Sequence, residues 1–167
     1  MRGDNMSSKI RILGIDPGTT IIGYAVLDKD RSDLKLVEYG TCKTKPKIPL
    51  ECKLQEIYCD IMRIVEKFKP NKIAVESLFF FKNTKTAFSV GQARGVVLLI
   101  AGQKKIPILD LTPLQVKAAL TGNGRADKKQ VQKMIQFVLK LKNLPKQDDA
   151  ADALAIAICA SQINNKI

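Results

Sequence analysis

IRILGIDPGTTIIGYAVLD, residues 10–28, is the stretch whose reading decides the fold. Ile10–Ile15 is a mostly apolar run that ends on Asp16 and breaks at Pro17-Gly18, and Ile21–Leu27 resumes with β-branched and aromatic residues. Two apolar runs separated by a turn of Pro, Gly and Thr read as neighbouring strands. A third run, Leu34–Cys42, follows after another short connection, so the chain opens as an antiparallel meander. At Leu50 the period changes. Leu50, Leu54, Ile57, Ile61, Ile64, Val65 and Phe68 fall on one face of a helix that Pro70-Asn71 ends. Lys72–Val75 then reads as a short strand leading to Glu76, and Asn83–Gly102 as a helix in which Gly91 and Gly95 leave room for another element. Ile106–Leu109 is expected as a fifth strand, with Pro107 placing it at an edge or a strand start. Helices over Pro113–Leu120, Asp127–Leu139 and Asp148–Gln162 complete a β-β-β-α-β-α-β-α order. A meander joined to crossover helices gives an α/β, three-layer protein: a five-stranded mixed sheet with helices on both faces. With no repeat or linker, residues 10–167 are expected as a single domain behind a disordered tail, residues 1–9.

Composition removes several chemistries. The chain has 167 residues and no histidine, which excludes Ser-His-Asp and Cys-His pairs and HExxH zinc sites. The four cysteines, Cys42, Cys52, Cys59 and Cys159, have neither zinc-module nor CxxC spacing and read as free thiols of a reducing cytoplasm. The longest apolar stretch, Val96–Ala101, is far too short to span a bilayer, and the start of the chain lacks a secretory hydrophobic region. A cytoplasmic protein without a membrane partner is expected.

Charge points to a polyanion. Lys and Arg number 28 against 16 Asp and Glu, a net +12. The excess is concentrated: residues 77–147 hold 13 basic and 2 acidic side chains. Within them Lys117, Arg125, Lys128, Lys129, Lys133, Lys140, Lys142 and Lys146 face only Asp127 in sequence. A single-sign field of this kind favours nucleic acid through counterion release from phosphates, whereas ordinary solubility charge intersperses the two signs.

Four carboxylates occupy positions suited to chemistry. Asp16 and Glu76 end strands, and Asp149 and Asp152 lie three apart on one face of the last helix. Taken singly, Asp16-Pro17-Gly18 is an ordinary turn, Glu76 a surface acid, and Asp148, Asp149 and Asp152 complements to a helix N-terminus. Together they make an oxygen-ligand set for Mg²⁺, which keeps several waters and needs few protein carboxylates. Two such ions about 4 Å apart hydrolyse phosphodiesters without imidazole.

IRILGIDPGTTIIGYAVLD (10–28), IAVESLFF (73–80), GQARGVVLL (91–99), LTPLQVKAALTGNGRADKKQVQKMI (111–135) and DDAADALAIAICAS (148–161) closely resemble the RuvC family of Holliday-junction resolvases, in order and over almost the whole chain. The resemblance implies a ribonuclease-H-like fold and a homodimer that nicks two opposed strands of a four-way DNA junction symmetrically, in recombination and repair. It places the catalytic, metal-binding acids on Asp16, Glu76, Asp149 and Asp152, all carboxylate where some relatives carry histidine. It implies Mg²⁺, two ions per active site, with Mn²⁺ as a substitute. It places a base-stacking aromatic on Phe79 and DNA-contacting lysines on Lys117 and Lys128, to which Arg125 and Lys129 add from the basic block. The helix with Gln92–Gly95 resembles one that contributes to dimerisation, and a branch-migration motor complex is the implied further partner, at a nucleoid-associated location. Phe79, Phe80 and Phe81 are consecutive, so one face cannot bury all three; which of them meets DNA stays open.

Three other readings share parts of this pattern. Asp16-Pro-Gly-Thr-Thr also resembles the phosphate hairpin of the actin and sugar-kinase superfamily, which needs two lobes where this chain supplies one. A non-catalytic junction binder is opposed by the intact carboxylates, which repel phosphate unless a metal intervenes. A ribonuclease-H-like enzyme acting on RNA–DNA hybrid or RNA would use identical chemistry.

Overall fold

The computed structural model describes residues 9–77 and 84–163. Five strands, β1 (Ile10–Asp16), β2 (Ile21–Asp30), β3 (Asp33–Lys43), β4 (Lys72–Glu76) and β5 (Ile108–Leu111), form one sheet in the order β3-β2-β1-β4-β5. β1, β2 and β3 pair antiparallel as the expected meander, while β4 and β5 run parallel to β1. The helices are α1 (Leu50–Phe68), α2 (Thr84–Lys104), α3 (Pro113–Thr121), α4 (Lys128–Leu139) and α5 (Asp148–Gln162). None of the described helices is long and apolar enough to cross a membrane.

Strand alternation sorts the two cores. Leu13, Ile15, Ile22, Val26 and Ile73 point to the layer of α1 and α2. Ile12, Ala25, Leu27 and Ala74 point to the layer of α3, α4 and α5. With a period of two, Gly14 and Asp16 continue the α5 face of β1, Gly23 that of β2, and Lys72 and Glu76 that of β4. One face of the sheet therefore carries apolar or small residues in its middle, acids at one edge and lysines at the other.

α5 lies directly on that face because its own residues are small. Ala150, Ala153 and Ala157 are almost fully buried, and the glycines beneath them allow backbone contact. A Cβ on Gly14 would stand 2.5 Å from the Ala153 carbonyl oxygen and 2.8 Å from the Ala157 Cβ. The far end of α5 is anchored by lysine. Lys72, 7% exposed, donates to the carbonyls of Ala160 (2.6 Å) and Ile163 (3.2 Å), and Lys29 donates to that of Ser161. Cations at a helix C-terminus satisfy carbonyls that have no partner within the helix. Lys72→Met is expected to lower stability by about 1–3 kcal/mol, the cost of stranding those buried acceptors; an unchanged urea midpoint would show the anchor to be idle.

One sequence expectation is corrected. β5 starts at Ile108, two residues later than expected, because Pro107 has no N–H to donate and instead accepts from the Ile73 N–H (2.9 Å) as the chain enters the sheet. It is an edge strand, as Pro107 suggested. At Gly95, apart from the backbone of its own helix, nothing among the described residues stands within 4 Å of an added Cβ, so the room it leaves on α2 is open there. The expected tail, residues 1–9, lies outside the described residues except for Lys9.

Candidate active site

The carboxyl edge of β1 and β4 meets the N-terminus of α5, the place where open α/β sheets bind ligands. Asp16 is the last residue of β1, paired across the sheet with Gly23 of β2. Glu76 ends β4, which pairs beside β1 through Ile15 and Val75. Asp149 and Asp152 come down onto this edge because Gly23 has no side chain: a Cβ there would stand 1.9 Å from the Asp149 carbonyl oxygen. The sequence reading gave Gly23 no role in the site. The signal was present in the alanine run of the last helix, whose small face demands a partner equally bare.

The carboxylates feel one another. Asp16 is half-buried, and its pKa is pushed up to about 8 by loss of water, then by Asp152, Glu76 and Asp149, with Lys128 opposing. Glu76 is raised by burial and then by Asp152, against the pull of Lys117. Asp152 stays open to water at the mouth of the site. Its carboxyl is still raised, first by partial desolvation, with Asp148 and Asp149 adding to this and Lys128 and Lys117 opposing it. Repulsion of this kind marks negative charge that the protein itself leaves uncompensated.

Beside the acids lies a cleft of about 260 Å³ whose polar lining includes Glu76, Asp152, Lys117, Lys128 and Gln132. Lys117 and Lys128 thus reach the site that the sequence reading assigned them to, whereas Arg125 and Lys129 are exposed and do not line the cleft. Lys128 is not without an acidic neighbour: its Nζ pairs with Asp148 at 2.9 Å. Asp127, the acid expected to face the lysines, instead caps α4, accepting from the Gln130 N–H at 2.9 Å. Phe79 and its neighbours Phe80 and Phe81 lie outside the described residues.

The donor set is hard oxygen throughout, suited to Mg²⁺ or Mn²⁺ and unsuited to soft metals. Among the described residues no group of three or more acidic or thiol side chains is gathered closely enough to hold a metal ion by itself. Such an open set fits an ion that completes its shell with water and phosphate oxygens, and the raised pKa values show the charge that a divalent cation would neutralise.

Protons compete for the same oxygens, and this gives a pH signature. Carboxyls with raised folded-state values hold protons that the unfolded chain has lost, so their contribution to stability declines as pH rises above the ordinary carboxyl range, for Asp16 up to about 8. Asp28, held below its ordinary range chiefly by Arg11 through bonds of 2.7 and 2.9 Å, works oppositely, its contribution vanishing in stronger acid. In EDTA the melting temperature is expected to be higher at pH 5.5 than at pH 8, and Mg²⁺ to raise it mainly at pH 8. A magnesium shift of equal size at both values would remove the competition.

The sequence model described as "Crossover junction endodeoxyribonuclease RuvC" matches residues 12–160. A protein of that name from Brevibacillus brevis is 48% identical over 92% of this chain and 92% of its own length. One from Desulfitobacterium hafniense is 51% identical over 89% and 90%. Among solved structures, T. thermophilus RuvC in complex with Holliday junction substrate has a TM-score of 0.84 at 36% identity, covering 90% of this chain and 92% of that one. A yeast mitochondrial Holliday junction resolvase, at 16% identity and a TM-score of 0.64, shares the fold.

Proposed function

The chain belongs to the RuvC family of Holliday junction resolvases, and from that premise we propose that Asp16, Glu76, Asp149 and Asp152 hold Mg²⁺ and cut opposed strands of a four-way DNA junction. The protein is a crossover junction endodeoxyribonuclease; the ion, the residue roles and the assembly are our reading. The observation that carries it is the set of carboxyls at the sheet edge, raised by loss of water and then by repulsion from neighbouring acids, and flanked by Lys117 and Lys128.

When bound, divalent cations supply Lewis acidity toward the phosphate and ease the deprotonation of water. Asp16, the most strongly perturbed, is the central ligand, and Glu76, Asp149 and Asp152 hold the ions from β4 and α5. Lys117 and Lys128 draw the scissile strand's phosphates to the rim and offset the charge gathered there. Lys128 exchanges Asp148 for phosphate as DNA arrives. The site holds no imidazole, and Asp16 is half-buried. Two Mg²⁺ per site fit this donor set, with Mn²⁺ as a substitute. Phe79 stacks on a base at the junction centre, and Arg125 and Lys129 meet phosphates beyond the cleft.

The working form is a homodimer, since two coordinated nicks need two sites. Support comes from α2, where Phe88 (70% exposed), Gly95 and Leu99 (55% exposed) make an open stripe. A branch-migration motor complex is a further partner, the location is the nucleoid region of the cytoplasm, and residues 10–167 act as one nuclease domain.

The test is cleavage of an end-labelled four-way junction beside linear duplex and RNA–DNA hybrid of the same sequence, each with Mg²⁺ and with EDTA. Paired symmetric nicks on the junction alone, lost in EDTA, are expected. Binding without nicking would make the protein a junction binder, and cutting of the hybrid alone would overturn the substrate.

A further inference from the structure

α4 turns Val131, Ile135 and Leu139 into the core. Its opposite side carries Lys129, Lys133 and Phe137 at four-residue spacing, all exposed, and Lys140 follows at the helix end. Phe137 is 78% exposed, the most open large apolar side chain among the described residues. A lone exposed apolar residue is ordinary, but this ring sits within a row of lysines. Among the described residues Lys129, Lys133 and Lys140 form no salt bridge, and the acid that starts the helix, Asp127, is occupied as its cap. The row begins one residue beyond the site. Lys128 lines the cleft with Glu76 and Asp152, and at 1.5 Å per residue Phe137 lies about 13 Å farther along the axis. That distance is about four base-pair steps of duplex.

We propose that the outward face of α4 is a second DNA contact that takes a duplex arm of the junction, Lys129, Lys133 and Lys140 meeting its phosphates while the Phe137 ring lies against a deoxyribose. The charge selects the occupant: a positive row with an aromatic set in it is complementary to a sugar–phosphate backbone and repels a basic partner. The inference rests on the resolvase reading above, and it adds a surface that holds the arm rather than the crossover.

The chain has no tryptophan, so Phe137→Trp installs a single reporter on this face. With a long-armed junction its emission should shift to the blue and its quenching by acrylamide should fall, without the strong quenching that stacking on an unpaired base produces. In parallel, Phe137→Ser/Lys133→Ala should weaken junction binding about tenfold and flatten the dependence of log affinity on log salt by about 0.9. Its single-turnover cutting rate at saturating protein should be unchanged. An indole equally accessible with and without DNA, in protein that still binds and cuts, would overturn the arm contact and leave the resolvase reading standing. Strong quenching would replace the duplex arm with an unpaired strand. An indole already shielded in free protein, with a doubled mass that the serine variant abolishes, would make the face a protein contact and end the proposal. Failure of wild type to bind or cut the junction would instead remove the reading beneath it.

Discussion

Asp16→Asn is expected to abolish junction cleavage, by about 10³-fold or more, while raising the melting temperature of the metal-free protein. Both effects come from one cause. Asp16 is held half-buried, and loss of water, then the charges of Asp152, Glu76 and Asp149, push its pKa up to about 8. At neutral pH the folded, metal-free chain therefore binds a proton there that the unfolded chain does not need, and folding is penalised above the ordinary carboxyl range. An amide of the same shape carries no charge and escapes that cost. The gain is about 2 kcal/mol, or a rise of about 4–8 °C for a chain of this size. It should be largest at pH 8 and fade toward pH 5. Junction affinity should survive, because the basic surface is untouched. Cleavage assays and thermal melts in EDTA decide it: near-normal turnover removes Asp16 from the ligand set, and lower stability at pH 8 removes the charge argument.

Gly23→Ala should cost both stability and turnover, the opposite pairing. The added Cβ would stand 1.9 Å from the Asp149 carbonyl oxygen and 2.4 Å from its carbon, both backbone atoms of α5 that cannot swing aside. Relief requires the N-terminal turn of α5 to lift from β2, carrying Asp149 and Asp152 away from Asp16 and Glu76. A displacement of about 1 Å at reacting groups costs about 10²-fold in rate, and overpacking costs about 1–3 kcal/mol. Single-turnover cleavage under stabilising conditions, with circular dichroism showing a folded chain, separates the two losses. Full activity in a folded Gly23→Ala protein would mean that α5 is not seated by Gly23.

Much of this was legible before any coordinates. Apolar runs and their breaks located the strands and helices, because alternation and 3.6-residue periodicity follow from backbone geometry. The errors are local and have local causes. The fifth strand slid by two residues because Ile106 and Pro107 are apolar, yet Pro107 cannot join a ladder as donor. Gly14 on β1 and Gly23 on β2, which admit the backbone of α5, were given no such role in the sequence reading. Lys128 read as lacking an acidic partner, because Asp148 is twenty residues away along the chain and 2.9 Å away in space.

By itself the sequence determined which chemistry is available. The absence of histidine leaves carboxylates, lysines, hydroxyls, thiols or an oxygen-ligated metal to run any catalysis, and the basic block points to a polyanion, since these are properties of side chains wherever they lie. Only the tertiary structure decided that Asp16, Glu76, Asp149 and Asp152 act on one another. Their coupling depends on distance and desolvation, which arise when α5 settles on the bare backbone of Gly14 and Gly23 and its far end is fastened by Lys72. The same packing turned Phe137 outward along a row of lysines, because which face of a helix meets solvent is fixed by what the opposite face is packed against.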